Sequence, residues 1–299
     1  MTACPVCGSP AGPPLLRGRD RLLGVPGEFA VAGCTGCGLA LTEPRLAGEA
    51  LARHYPDEEY EPYRPPSGPL GRLMAANRRL QMDAKLRSQP FRSLEGGRLL
   101  DVGCGRGDLA AAFARRGWEA CGIEPSRAAV EAARALGVDA RAGTIDDAPW
   151  PEGSFDAVVF NHSLEHIPDP VGALARAREL LRPGGRVAVV VPDWGSRQRR
   201  LFGSRWFHLD LPRHLQHFDA RSLAEAVRRA GLRPLATGTN ASASGLPGSV
   251  QYALAGRCVF RGPWLRVALL ALMALYPLTG AVVRATGGDW RWIVAERPA

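Results

Sequence analysis

From residue 98 onward the chain alternates between two periodicities. "RLLDVG" (98–103), "WEACGIE" (118–124), "FDAVVF" (155–160) and "RVAVVV" (186–191) are short, nearly continuous apolar runs. Runs of this kind suit strands of a parallel sheet that is covered on both faces. Between them the period becomes helical. Residues 106–116 end at Gly117 after Arg115 and Arg116, 126–136 stop at Gly137, and 170–181 carry Val171, Leu174 and Leu181 on one face before "RPGG". Strand and helix in alternation predict an α/β fold with helices on both faces of the sheet. Upstream, Leu73, Leu80 and Ala84 with Met74, Met82 and Leu86 give a rough stripe and predict a helix over 71–94. The proline-dense stretch 56–71 reads as a connector, and 1–50 as a separate module rich in Cys and Gly.

Composition adds bounds. At 299 residues there is room for one large α/β domain and a small accessory module. An apolar content of 46% with 22% charged residues excludes global disorder. The net charge of +9 would suit a nucleic-acid partner. Lys85 is the only lysine, however, and the abundance of Arg, Ala, Gly and Pro reads as coding bias, so nucleic acid is the less favoured partner. Residues 1–25 lack the apolar stretch of a secretory signal, which points to the cytoplasm. Seven cysteines in a reducing compartment suggest metal ligands or free thiols before disulfides.

The stretch "LLDVGCGRGDLA" (99–110) carries the first chemistry. Gly103, Gly105 and Gly107 form G-x-G-x-G at the end of a strand, whereas the dinucleotide fingerprint wants a glycine where Asp108 stands. Asp101 and Asp108 would repel a pyrophosphate but not a ligand bearing a sulfonium and an α-ammonium group. Glu124, 21 residues after Gly103, ends the next strand and can accept both hydroxyls of a ribose. The alternative is a structural glycine bend with no ligand.

These motifs, with "GIEPS", "GTIDDAPWPEGSFDAVVFNHSLEHIPDP" and "LRPGGRVAVVVP", resemble in order those of class I S-adenosylmethionine-dependent methyltransferases over residues 95–240. The resemblance implies a Rossmann-like sheet of seven strands, the last antiparallel, with "LRPLATGT" (232–239) and "WRWIVAERP" (290–298) as the sixth and seventh. It divides the chain into 1–50, 51–94 and a methyltransferase domain over 95–299 with insertions at 192–219 and 240–289. It places Asp101, Gly103, Gly105 and Gly107 around the methionine part of the cofactor and Glu124 on the ribose. Ile145, with Thr144 or Asp146, would face the adenine; many members have Asp where this chain has Thr144. Asn161 would contact the methionine moiety or the substrate.

Cys4-x2-Cys7 and Cys34-x2-Cys37 sit in knuckle-like turns, "CPVCG" and "CTGCG", the pattern of a four-thiolate structural Zn2+ site. Similar modules occur in sugar C-methyltransferases and, with a histidine among the ligands, in some ribosomal RNA methyltransferases. Cys104, Cys121 and Cys258 read as small buried residues.

Methyl transfer is an in-line displacement, and a base is needed only where the acceptor must lose a proton. His208 and His214, in the aromatic segment 205–219, are the base candidates. His166, in "LEHIPDP", lies near the emerging methyl or orders its loop by a hydrogen bond. The spacing H-x5-H-x2-H of His208, His214 and His217 matches no metal-ligand pattern, so no metal is expected there. The uncharged run 267–283 contains Pro277 and is short for a membrane span. It reads as a helical hairpin that lies in a membrane interface or covers the acceptor, or else as a buried helix or a dimer contact. Six arginines in 256–299 suit anionic headgroups. The expected activity is methylation of a small-molecule, sugar or lipid-linked acceptor in the cytoplasm, with peripheral membrane contact through 256–288 at the inner face of the cell membrane. The alternatives are an RNA methyltransferase that grips RNA through the zinc module, and a cofactor-binding adaptor without turnover.

Overall fold

The computed structural model describes residues 3–55, 68–242, 244–257 and 287–299, without the side chains of 68–74. The run 267–283 and Cys258 lie outside the described residues, and among the described residues no helix is long and apolar enough to cross a membrane.

The apolar runs form the central sheet. Its strands are β4 (Arg98–Val102), β5 (Glu119–Glu124), β6 (Asp139–Ala142), β7 (Phe155–Asn161), β8 (Leu181–Pro192), β10 (Arg233–Asn240) and β11 (Trp290–Glu296). The order is β10-β11-β8-β7-β4-β5-β6, with β11 antiparallel to both neighbours and the other pairings parallel. The direction of winding reverses between β4 and β7, so their carboxyl ends open a crevice where α/β sheets bind ligands.

Helices cover both faces. On one, Leu174 and Ala177 of α5 (Pro170–Leu180) and Leu223 and Val227 of α7 (Ala220–Arg229) pack on Val158, Phe160 and Val189. On the other, Ala110 and Phe113 of α3 (Asp108–Ala114) and Val130 and Ala133 of α4 (Arg127–Ala135) meet Leu99, Val159 and Val190. Side chains buried on both sides explain why these strands lack alternation. β6 escapes the sequence pattern because it is an edge strand with only Ala140 buried. The helix expected over 71–94 is α2 (Gly68–Lys85): the Ser88 hydroxyl donates to the Lys85 carbonyl and Pro90 follows, which ends it nine residues early. "RPGG" does not trail α5 as a loop but opens β8, where the pairing with β7 is irregular.

The N-terminal segment forms a second, antiparallel sheet. β1 (Ala11–Gly18), β2 (Phe29–Cys34) and β3 (Ala40–Glu43) are joined by β9 (Gln216–His217), which comes from the segment after β8. A buried arginine joins the two parts. Arg213, 0% exposed, donates from Nη1 and Nη2 to Oδ2 and Oδ1 of Asp20 at 2.8 and 2.9 Å. It also reaches Oδ1 of Asp210 at 2.7 Å and the His54 carbonyl at 3.1 Å, while Nδ1 of His54 lies 3.0 Å from Asp20 Oδ2.

Burial alone would raise the Asp20 carboxyl, but the Arg213 guanidinium, helped by His54, holds it below the ordinary carboxylate range. A depressed folded-state pKa stabilises the fold at neutral pH, and that contribution is lost as pH falls through it. Asp20→Asn is therefore expected to cost about 3–5 kcal/mol in urea unfolding at pH 7. The gap to wild type should narrow under acid, where Asp20 itself becomes protonated.

Candidate active site

The crevice begins at the glycine turn. Gly103, Gly105 and Gly107 all have positive φ (69°, 52° and 77°). A Cβ at Gly103 would lie 2.6 Å from that of Ser163, and one at Gly107 would lie 2.8 Å from that of Ala133. These two glycines allow close packing. Gly105 meets nothing within 4 Å, so it is the turn's open face.

Behind that face lie two buried carboxylates. Glu124 Oε2 accepts from Gly105 N and Oε1 from Ser126 N, each at 3.0 Å, which leaves each oxygen one lone pair. Burial raises the Glu124 carboxyl. Burial likewise pushes Asp101 up to about 7, against the pull of the Lys85 ammonium and with a further rise from Glu124. Asp108 is different: Arg78 and Arg106 pair with it at 3.3 and 3.2 Å. The negative character of the crevice therefore rests on Asp101 and Glu124.

Lys85, the last residue of α2, faces them. Its Nζ donates to Asn161 Oδ1 at 2.5 Å and stands 4.9 Å above the Trp290 ring. Burial holds its pKa down to about 8 although Asp101 and Glu165 pull it up. Periodicity alone treated Lys85 as one more position of a helix. Its being the only lysine was the available signal.

At the expected adenine contacts, the turn after β6 makes bonds of its own. Thr144 donates from N and Oγ1 to Asp147 Oδ2 at 2.9 and 2.8 Å, so its side chain caps the short turn Ile145–Asp147. The Ile145 side chain is buried in the core, which leaves only its main chain for a ligand. Asp146 is exposed, and Asp147 is the acid that engages Thr144.

The loop after β7 forms the other wall. His162 has φ 58°, its ring centroid lies 4.4 Å from that of Trp290, and its buried Nε2 has no partner. Glu165 is 1% exposed, both its oxygens lack hydrogen-bond partners, and burial pushes it up to about 8. Two of the three expected histidines, His166 and His214, lie beside it, and His208 stands against Asp289 and Trp290. His166 Nδ1 lies 2.8 Å from Tyr55 Oη and 3.0 Å from the Arg213 carbonyl. His214 Nδ1 lies 3.0 Å from the His208 carbonyl, with Nε2 4.0 Å from Glu165 Oε1. His208 Nε2 is 3.0 Å from Oδ2 of Asp289, which is 0% exposed.

Carbonyls and carboxylates accept, so these contacts fix the tautomers. His166 and His214 carry the proton on Nδ1 and keep a lone pair on Nε2; His208 carries it on Nε2 and keeps a lone pair on Nδ1. Burial lowers the His166 and His214 pKa values and keeps both rings neutral. His217 turns away to Thr42 Oγ1 at 3.0 Å. His162, Glu165, Asp289 and Tyr55 were not expected from the sequence; "LEH" held the only local hint, for Glu165.

In the N-terminal sheet, the sulfurs of Cys4, Cys7, Cys34 and Cys37 lie within 4.8 Å of one another, with Cys4–Cys37 at 3.6 Å and Cys7–Cys34 at 3.3 Å. Four thiolates at about 2.3 Å from a tetrahedral ion stand roughly 3.8 Å apart, so the set suits one.

Residues 74–237 match the family model described as "Methyltransferase domain". A "Ubiquinone biosynthesis O-methyltransferase" of Alkalilimnicola ehrlichii is 44% identical over 107 residues, 33% of this chain and 43% of that protein. An uncharacterised 37.1 kDa protein in a Streptomyces fradiae transposon is 41% identical over 106 residues, 32% of this chain and 30% of that protein. The chain thus spans less than half the length of these relatives. Among solved structures, a SAM-dependent methyltransferase of Thermotoga maritima described as a possible histamine N-methyltransferase has a TM-score of 0.51 at 19% identity, covering 75% of this chain and 92% of that one. A SAM-dependent methyltransferase of Archaeoglobus fulgidus has 0.51 at 17%, covering 73% and 94%. At such identities the likeness is one of fold. The matched region takes in the glycine turn, both buried acids and the loop after β7, and by it the chain belongs to the methyltransferase domain family.

Proposed function

We propose that this chain transfers a methyl group from S-adenosylmethionine to a small-molecule acceptor that loses a proton in the process. The observation that carries the reading is the pair of buried, largely uncompensated carboxylates, Asp101 and Glu124, beneath the open face of Gly105. Such a floor favours a cation and disfavours a phosphate.

Asp101 would balance the sulfonium and ammonium charges, and the spare lone pairs of Glu124 would take the ribose hydroxyls. Lys85, the basic residue of the last turn of α2, would meet the cofactor's carboxylate. When bound, the cofactor supplies an electrophilic methyl group. The remaining work falls to positioning and proton removal. His208, its Nε2–H fixed by Asp289, presents a basic Nδ1 that can take the acceptor's proton, and the buried Asp289 carboxylate stabilises the imidazolium that results. Trp206, Phe207 and Trp290 ring His208 and help exclude water.

A sugar or lipid-linked compound is the acceptor class we favour. The aromatic wall supports it, as does the name of a relative, a ubiquinone biosynthesis O-methyltransferase. We place the enzyme in the cytoplasm, at the inner face of the membrane when the acceptor is lipid-linked. The four cysteines hold a structural Zn2+ that builds the N-terminal sheet.

The deciding experiment incubates purified protein with methyl-labelled S-adenosylmethionine and a lysate of its own host, then separates lipid, glycan, RNA and protein fractions. Label in the lipid or glycan fraction supports the reading. Label confined to RNase-sensitive material overturns the acceptor class, and no label with intact cofactor binding overturns catalysis.

Two further outcomes are expected. Cofactor Kd, measured calorimetrically, should fall as pH rises from 6 to 8, because ionised Asp101 binds the cation. Below about 7 the change approaches tenfold per pH unit, and Asp101→Asn should bind weakly at every pH. His208→Ala should lower kcat roughly 10²–10⁴-fold and leave cofactor Kd unchanged.

A further inference from the structure

The acceptor wall contains an arrangement that methyl transfer does not require. His166 and His214 come from different segments, one after β7 and one before β9, yet each donates Nδ1–H to a main-chain carbonyl and keeps its lone pair on Nε2. Beside them stands the buried Glu165 carboxyl group, neither of whose oxygens has a hydrogen-bond partner. One ligand atom from each of the three residues lies within 4.8 Å of the others. Three side chains able to ligate a metal therefore converge, and His214 Nε2 at 4.0 Å from Glu165 Oε1 is too far for a shared proton to join them.

We propose that Glu165, His166 and His214 form a binding site for a divalent first-row transition-metal ion, distinct from the four-cysteine cluster. A second shell of carbonyls that orients imidazoles through Nδ1 is the arrangement metal-bound histidines show. Adjacent ligands at about 2.0–2.2 Å from one ion stand roughly 2.9–3.6 Å apart, so His214 Nε2 and Glu165 Oε1, 4.0 Å apart, must close by about 0.4–1 Å. Two imidazoles and one carboxylate suit Mn2+, Fe2+, Co2+ or Zn2+ rather than Ca2+. Asp210 is not a ligand: it approaches His214 Nε2 at 3.9 Å, but both its oxygens already accept from Arg213. His162, whose Nδ1 is 3.6 Å from Glu165 Oε1, lines the open side. Three protein ligands leave coordination positions for an oxygen of the acceptor, whose hydroxyl the ion would acidify. Local spacing could not reveal the site, because its ligands are 48 residues apart in sequence and the H-x5-H-x2-H pattern mixes one of them with two residues that point elsewhere.

The test is a Mn2+ titration of the full chain with its cysteine site already loaded with Zn2+, followed by electron paramagnetic resonance; thiolates compete poorly for Mn2+. One Mn2+ per chain is expected, with affinity reduced more than about tenfold in Glu165→Gln and His214→Ala. Cofactor binding by each variant serves as the folding check and separates this inference from the assignment of the methyltransferase reaction. Should a variant fail to fold, Mn2+ protection of His166 and His214 against diethylpyrocarbonate in the wild type, read by mass spectrometry, supplies the same answer. Absence of Mn2+ binding beyond the Zn2+ site overturns the inference, as does binding that neither variant weakens or that leaves both histidines unprotected.

Discussion

The Arg213 side chain is the constraint on which the acceptor half depends. A guanidinium with no solvent exposure is costly to bury, and it is tolerated here because Asp20, Asp210 and the His54 carbonyl together occupy its donors. Those partners come from the N-terminal segment and from the stretch after β8, so neither can shift without stranding a charge. The Arg213 carbonyl in turn accepts from His166, and Tyr55, next to His54 in sequence, contacts the same imidazole. One buried ion pair thus fixes the relative position of the small sheet, the β9 segment and the loop after β7. An apolar contact of equal area would stabilise the junction as well but would not set its register so narrowly.

This arrangement ties the N-terminal module to the segment after β8. β3 pairs with β9, and Thr42 holds both the His214 carbonyl and the His217 ring. The module therefore packs directly against the segment that carries His214 and His217. The cofactor side is built independently: its acids lie at the ends of β4 and β5, and its glycines between β4 and α3, all within the central sheet.

That division explains what was legible in the sequence. The strand runs, the glycine turn, Glu124 and the four cysteines are local patterns, set by a few neighbouring residues and a backbone that must turn sharply. They read well because the physics acting on them is local. β6 did not read, since one buried alanine makes no pattern. Thr144, expected with Asp146 as an alternative beside the adenine, also bonds Asp147 within its own turn, a contact that the sequence pattern does not announce. Lys85, Glu165 and Asp289 acquire meaning only from what stands opposite them after folding. His208 was suspected as a base, but its partner lies 81 positions away.

The same division constrains how specificity is built. Gly103 and Gly107 are packed so tightly against Ser163 and Ala133 that the cofactor half admits little change in shape. The acceptor wall instead hangs on segments outside the alternating strand–helix core: residues 203–217, α8 (Gly245–Ala255) and the turn that carries Asp289. Phe207 packs on Tyr252 of α8, and the main chain of Phe207 donates to Ser249, so the aromatic ring of the pocket is anchored to that helix. Changes in these segments alter acceptor shape without touching Asp101, Glu124 or the glycine turn. On the proposed function, cofactor binding is a property of the sheet, and the choice of acceptor is a property of what the Arg213 junction holds against it.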